Sequence, residues 1–501
     1  MLSSELFLGL DVGTTAVKAS CLGVDGIVQE QVRTEYPTAF GPGGRVTQKP
    51  VDWWDAAKQC LQQLSADRRA RITGIAVSSH APTLLGVAED GTPLMDARIW
   101  ADRTAAEESR ALEALWGQSR IEALVGNRMD PYFLAPKLAQ LRAERGNDLG
   151  AIPLFVQANG WLVHRLCGVW SIDDTHAALT QLYAADSGDW DDGVLQDLGV
   201  HRGQLPPLFS PSATVGHLTK AAAGELGLTA GIPVHAGSID GSTSALGAGL
   251  TEAGRLYEMS GQSSGIGVIT DDVIPHRRLV NLKHAIDGRW ILKGSMSATG
   301  GSLRWLRDVV GAGATDAEDF AEFTRLAADA DPGSGGVLFL PYILGERAPI
   351  WDPDARGVWF GLNATTSRAD LVRSVMEGAA FGLRSVLGEL EGIDHDPLIH
   401  GSGGGYLSQE WTQIKADVLG LPISVSWEQS DTASRGAALL ALAGAGIPLP
   451  HDDDAPGQEL VRPEDSLADL YDELFKEFVS LTSASASHFA SLAAVRRRHR
   501  I

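Results

Sequence analysis

The sequence predicts an α/β protein of two lobes, and three observations carry that prediction. The chain has 501 residues, beyond the size at which one core keeps growing, so two domains of roughly 250 residues are expected. Short β-branched runs alternate with segments of helical spacing. A strand, a polar glycine-containing turn and a second strand occur near residue 11 and again near residue 261, once in each half.

Leu6 to Leu10, Ala16 to Leu22 and Ile27 to Thr34 are strand-like runs joined by tight turns, an antiparallel start. Asp25-Gly26 is an ordinary hairpin signal, whereas Asp11-Val12-Gly13-Thr14-Thr15 holds more residues than a turn needs. Pro50 to Leu64 has helical apolar spacing with proline in the first turn, and Ile72 to Ser78 suits a buried strand. The glycine-rich Gly247 to Gly254 suits a hinge, which divides the chain into lobes 1–248 and 249–445. Beyond it, Arg255 to Met259 and Gly265 to Thr270 flank the turn Ser260 to Ser264. Pro397 to Ile399 lead into the glycine-rich His400 to Tyr406 and a helix over Leu407 to Leu419. Ala437 to Ala445 and Leu467 to Val495 have helical periodicity, and the segment 446–501 is expected to pack back on the body.

Composition narrows the function. Apolar residues make up 44% and charged residues 21%, the balance of a globular protein with a large core. Against 41 Lys and Arg stand 63 Asp and Glu, a formal charge of -22, which argues against nucleic acid and against a membrane surface as partners. The basic run Arg496-Arg497-Arg498-His499-Arg500 closes the chain and reads as a solvated tail. Three cysteines without C-x-x-C spacing fit a reducing compartment and no zinc site. The N-terminus has no basic region followed by an apolar core, and no window reaches the ~18 apolar residues of a membrane span, so a cytoplasmic protein is expected.

Nucleotide motifs are tested by elimination. Gly-Lys occurs nowhere, which removes the P-loop, residues 9 to 13 are not G-x-G-x-x-G, and H-E-x-x-H is absent. In Asp11 to Thr15, Gly13 would let the backbone approach an anion, Thr14 and Thr15 offer donors, and Asp11 could hold hydrated Mg²⁺. An Asx turn is the plain alternative. Asp240, in VHAGSIDGSTSALGAG, stands where a strand gives way to a helix, either as an N-cap or as a base for a substrate hydroxyl. The loop HGSGGGY is a place where a flat ring or a phosphate could approach backbone.

These stretches together resemble the FGGY carbohydrate kinases. Leu8 to Thr15 is similar to the first phosphate motif, Gly237 to Thr243 to the segment holding the catalytic aspartate, and Gly345 to Gly357 to the approach to the family signature. The signature then runs through Gly357, Trp359, Gly361, Leu362, Asp370, Leu371, Ser374, Val375, Met376 and Glu377, and Gly401 to Gly405 resembles the adenosine loop. The resemblance implies an actin-like, ribonuclease H-like ATPase fold with ATP and sugar meeting in an interlobe cleft. It implies Asp240 as the base and Asp11 as the Mg²⁺ residue. Gly13, Thr14, Thr15, Lys18, Gly261, Gln262, Ser263, Gly300, Gly403, Gly404 and Gly405 would bind ATP. A small-molecule sugar or polyol is the implied substrate, and the family also allows a homodimer.

The sugar-facing segments depart from the pattern. Ser79-His80-Ala81-Pro82 stands where xylulokinase-like members have Gln-Met-His-Gly, so Ser79 and His80 would present different hydrogen bonds. Trp100 and Asp102 keep a Trp-x-Asp pair suited to a polyol, with Arg103 adjacent and Thr104 in the usual Arg place. Asn159 and Thr175 lie in segments that contribute to sugar pockets in relatives. Gln262 replaces a hydroxyl residue in the second phosphate loop, and Glu346-Arg347 suits either a ligand contact or a structural pair. The expected activity is ATP-dependent phosphorylation of a ketopentose, aldonate or polyol. An actin- or chaperone-like ATP-binding protein, a sugar-sensing regulator and a glycoside hydrolase with paired carboxylates are the alternatives.

Overall fold

The computed structural model describes residues 5–310, 316–426, 431–450 and 458–499. Two compact units result, and neither is contiguous: Met1–Glu252, Thr270–Ile291 and Asp431–Ala455 form the first, and Ala253–Ile269, Leu292–Ser430 and Pro456–Ile501 the second. This differs from the contiguous division expected at 248/249.

The first unit is built on strands β1 (Leu6–Val12), β2 (Ala16–Gly23), β3 (Val28–Glu35), β4 (Ile72–Ser79), β5 (Thr214–His217) and β6 (Pro233–Ile239), in the order β5-β6-β4-β1-β2-β3. β1 is buried at every position because both faces are covered. Leu6, Leu8, Leu10 and Val12 alternate onto a core shared with Trp53, Cys60 and Leu61 of the helix Pro50–Gln63, while Phe7 packs with Ala438 and Leu439 of the helix Thr432–Gly444. That helix joins this unit across a long sequence gap because small residues let it approach. A Cβ at Gly9 would lie 2.0 Å from the Ser434 carbonyl oxygen, and the hydroxyls of Ser20 and Ser434 are 2.6 Å apart. Parallel pairing sets Val12 opposite Ser79, and Ser79 opposite Ile239. The carboxyl ends of β1, β4 and β6 therefore lie at one edge, the side where parallel α/β sheets bind ligands.

The second unit contains β7 (Leu256–Ser260), β8 (Ser264–Thr270), β9 (Trp290–Met296), β10 (Ile399–Ser402), β11 (Ile423–Ser426) and β12 (Gln458–Val461), in the order β9-β8-β7-β10-β11-β12. β7 and β10 are parallel with Met259 opposite Ser402, which brings the turn at Ser260 beside the loop at Gly403. The helix Arg368–Gly388 starts in a Ser367/Asp370 capping box and runs through the core. On it, the buried Arg373 Nε meets Glu377 Oε1 at 2.8 Å, and Tyr471 of the last helix donates to the same oxygen at 2.9 Å. That last helix, Ala468–His499, buries Tyr471, Phe478, Phe489 and Ala493. One expectation needs correction here. Asp465–His499 is long and apolar enough to cross a membrane by length and composition, because Phe478 to Val495 carries no charge, although little of that stretch is buried. Its buried stripe packs on the second unit's own core.

Candidate active site

At the carboxyl edge of the first sheet, Asp11 lies within β1, opposite Lys18 on β2 and Ser78 on β4. Its Oδ1 accepts from Ser78 Oγ at 3.0 Å, so it is not engaged in an Asx turn. Ser78 Oγ and Thr243 Oγ1 are 2.8 Å apart, and the Thr243 hydroxyl reaches the carbonyl oxygens of Ile239 and Asp240 at 3.1 and 3.2 Å. This chain of hydroxyls ties Asp11 to the base of the helix Asp240–Gly247. The N-cap of that helix is Ile239, with extended backbone, and Asp240 is its first residue, accepting from the Gly241 N–H at 2.6 Å. Asp240 is therefore not the N-cap, and the helix dipole favours its ionised form.

Lys18 Nζ is 2.5 Å from Asp431 Oδ2 and 3.9 Å from Asp11 Oδ2. Burial pushes the Asp11 carboxyl up to about 7, with Asp431 and Asp240 adding to the rise and Lys18 and Ser78 opposing it. Burial pulls Lys18 down, but Asp11 and Asp431 outweigh it and the net shift is upward. Three carboxylates thus share one ammonium. Among the described residues no ready-made cage of three or more ligands exists. Asp11 Oδ2, with only the distant Lys18 beside it, fits a Mg²⁺ that keeps waters and phosphate oxygens in its shell.

The turn itself is held from behind. The Thr14 carbonyl oxygen accepts from Thr38 Oγ1 at 3.1 Å and Gln48 Nε2 at 2.8 Å, Thr14 Oγ1 accepts from Trp100 Nε1 at 2.9 Å, and the Gly13 carbonyl oxygen accepts from the Tyr36 hydroxyl. Thr15 is exposed. A Cβ on Gly13 would meet nothing nearer than 3.4 Å, so this protein's own packing does not demand glycine there.

Ser79 and His80 are fully buried and bonded to protein. Ser79 Oγ is 2.9 Å from His176 Nε2, and His176 Nδ1 is 2.6 Å from Asp173 Oδ2. His80 Nε2 is 3.0 Å from Gln48 Oε1, its Nδ1 is 3.1 Å from Thr83 Oγ1, and burial lowers its pKa to about 3. Asn159 Nδ2 donates to Asp173 Oδ2 at 2.7 Å, and Thr175 Oγ1 accepts from the Ile239 N–H at 3.0 Å. Asp102 is also buried: Oδ1 accepts from the N–H and hydroxyl of Thr104, and Oδ2 from the Val46 N–H at 3.3 Å with Arg45 Nε at 3.3 Å. The Ser79, His80 and Asp102 side chains therefore order the wall behind the turn, with their polar atoms already engaged. Trp100 is half-buried.

In the second unit the turn after β7 is closed by backbone. Gly261 N–H donates to the Ser263 carbonyl oxygen at 3.1 Å, Gly300 N–H to that of Gly261 at 3.2 Å, and Gly301 N–H to that of Gln262 at 2.9 Å. A Cβ at Gly300 would sit 2.4 Å from the Gly261 oxygen, and one at Gly403, where φ is 92°, would sit 2.4 Å from the Ser260 oxygen. Gly405 faces Ser260 Oγ, whereas Gly404 faces open space. Below them lies a buried group: Lys415 Nζ donates to Glu258 Oε1 at 2.9 Å and Ser260 Oγ at 2.8 Å, and the Tyr406 hydroxyl donates to Glu258 Oε2. Burial lowers the Lys415 pKa against the pull of Glu258. Glu346 Oε1 accepts from the Ser297 N–H at 2.6 Å and the Arg347 N–H at 2.7 Å, and Arg347 donates to the Met296 carbonyl oxygen. Burial pushes Glu346 up to about 7 against those N–H bonds.

Sequence reasoning missed Asp431, Ser78, Thr243, the Asp173–His176 pair and the Lys415–Glu258 pair. Asp431 carried one local signal, its N-cap position before Ser434, whose N–H it accepts at 2.9 Å. Asp173 carried the same signal before Thr175 and His176.

The sequence profile of the FGGY family of carbohydrate kinases, N-terminal domain, matches residues 6–247, and that of its C-terminal domain matches residues 256–445. A glycerol kinase of Gloeobacter violaceus is 32% identical over 460 residues, covering 89% of each chain. A xylulose kinase of Escherichia coli is 29% identical, covering 94% of this chain and 93% of its own. The crystal structure of a xylulose kinase from Rhodospirillum rubrum superposes with a TM-score of 0.87 at 27% identity, over 97% of this chain and 100% of that one.

Proposed function

The chain belongs to the FGGY family of carbohydrate kinases, and on that premise we propose that it transfers the γ-phosphoryl group of ATP to a hydroxyl of a small sugar or polyol. A ketopentose such as xylulose is the leading acceptor, with gluconate, ribulose and erythritol behind it. The observation that carries this reading is the hydroxyl chain Asp11–Ser78–Thr243, which ends on the helix that Asp240 opens. One carboxylate is suited to a metal, and the other stands ionised at a helix N-terminus.

Phosphoryl transfer asks the protein for positioning and charge neutralisation. Asp240 accepts the proton of the attacking hydroxyl. Asp11 and the donors of Thr14 and Thr15 orient the phosphate end, with Lys18 supplying positive charge that Asp431 holds in place. When bound to Asp11, Mg²⁺ would neutralise phosphate charge. In the second unit, Gly261, Gln262, Ser263 and Gly300 offer donors to phosphate, and Gly403, Gly404 and Gly405 give backbone to the nucleoside. Ser79, His80, Trp100 and Asp102 shape the acceptor side from behind.

A coupled ADP-release screen over D- and L-ketopentoses, ketohexoses, gluconate, erythritol and glycerol tests this. Sugar-dependent ADP release that requires Mg²⁺ is expected for at least one acceptor. ADP release indifferent to every acceptor would leave an ATP-binding protein or a sensor instead.

A further inference from the structure

The second unit has a cavity of about 450 Å³ lined by Gln262, Gly301, Trp305, Trp359, Arg356 and Arg496, with Arg304 and Asp308 also on its wall. We propose that it binds a phosphorylated small molecule that modulates the nucleotide site. The volume lies in the range of small-ligand pockets. None of Gly403, Gly404 and Gly405 lines it. It is therefore distinct from the loop assigned to the nucleoside.

Charge decides the ligand class. Three guanidinium groups converge on the cavity in a chain of net charge -22. Among the described residues, Arg304 and Arg496 have no hydrogen-bond or ion-pair partner, and Arg356 uses Nη1 on the carbonyl oxygens of Pro353 and Ala355. The single acid, Asp308, pairs with Arg307 at 2.5 Å. The surplus is cationic, and guanidinium forks match phosphate oxygens. The rings of Trp305 and Trp359, with centroids 5.5 Å apart, add an apolar wall on which the carbon face of a sugar can lie. The basic run at the end of the chain thus supplies Arg496 to a concave surface.

The cavity also touches the back of the second phosphate turn. Gln262 is part of both, and Gly301 donates to the Gln262 carbonyl oxygen at 2.9 Å. An occupant that fixes Gln262 changes the donors offered on the turn's other side, so binding couples to nucleotide affinity. The coupling, but not the binding, rests on the kinase reading.

Calorimetric titration of the ADP-saturated protein with inorganic phosphate, pyrophosphate and D-ribose 5-phosphate tests the site, because ADP occupies the competing loops. One saturable equivalent is expected, weakened about tenfold or more by Arg356→Gln/Arg496→Glu, as loss of a charge-assisted contact implies. The ADP affinity and melting temperature of that variant should match the parent when no probe is present. Ribose 5-phosphate binding more tightly than phosphate identifies a sugar phosphate as the ligand class, and equal binding identifies a bare phosphate group. Absence of saturable binding up to about 10 mM, weaker than any affinity useful in a cell, or binding unchanged in the double variant, overturns the proposal. A protein that fails to bind ADP at all defeats the kinase reading separately, and the same titration without ADP still decides the cavity.

Discussion

The turns Val12–Ala16 and Ser260–Ser264 are the same device, a strand, a polar turn and a strand, yet they are built in opposite ways. Behind the first stand charges in a hydrogen-bonded chain: Asp11, Lys18, Asp431 and the hydroxyls of Ser78 and Thr243. Its Gly13 is under no internal steric demand. Behind the second, no acid enters the turn. Backbone from Gly300 and Gly403 closes against it, and the charges of Lys415 and Glu258 are sealed beneath. Charge chemistry is thus concentrated in one turn and rigid backbone presentation in the other, a division that suits a reaction needing both a metal-bound phosphate and a fixed nucleotide.

The largest effect is expected at the first turn's helix. Asp240→Asn should lower kcat by about 10² to 10⁴, the usual contribution of a general base, with little change in melting temperature. Near-normal turnover in a steady-state assay would remove Asp240 from the chemistry. In the second unit the cost should fall on stability instead. Lys415→Met strands the Glu258 carboxylate and should destabilise by about 3–5 kcal/mol in denaturant unfolding, and adding Glu258→Gln should recover most of the loss.

The second unit does hold one raised carboxylate, Glu346, and it sharpens the contrast through pH. Its folded pKa of about 7 lies above the ordinary value of 4.5, so the folded state keeps a proton that the unfolded state has lost. Stability should therefore fall as pH rises from about 4.5 to about 7, by up to about 3 kcal/mol, and level off above. Glu346→Gln should flatten that slope in melts taken across the window, and an identical slope would assign the dependence elsewhere. The smallest effects separate the two turns most directly. Gly300→Ala forces a Cβ to 2.4 Å from a carbonyl oxygen and should destabilise by about 1–3 kcal/mol. Gly13→Ala should stay within about 0.5 kcal/mol yet raise the KM for ATP. Equal destabilisation of both would erase the distinction drawn here.

Much of this was legible beforehand where the signal is local. The strand run Leu6 to Leu10, the helix from Pro50 and the two hairpins are written in short-range pattern, since period and turn chemistry act over a few residues. The expectation for Asp240 as an N-cap missed by one position, because the end of an extended strand and the first helical turn carry the same residue types.

By itself the sequence determined the family, the α/β character and which loops are rich in glycine and hydroxyls, all of which reside in contiguous motifs. Only the tertiary structure decided that Lys18 would be held by Asp431, that the helix Thr432–Gly444 would join the first unit, and that Ser79, His80 and Asp102 would turn inward to protein partners. The physical reason is that a buried charge or hydroxyl must find its partner wherever packing brings one, and those partners lie far along the chain, where no local pattern can name them.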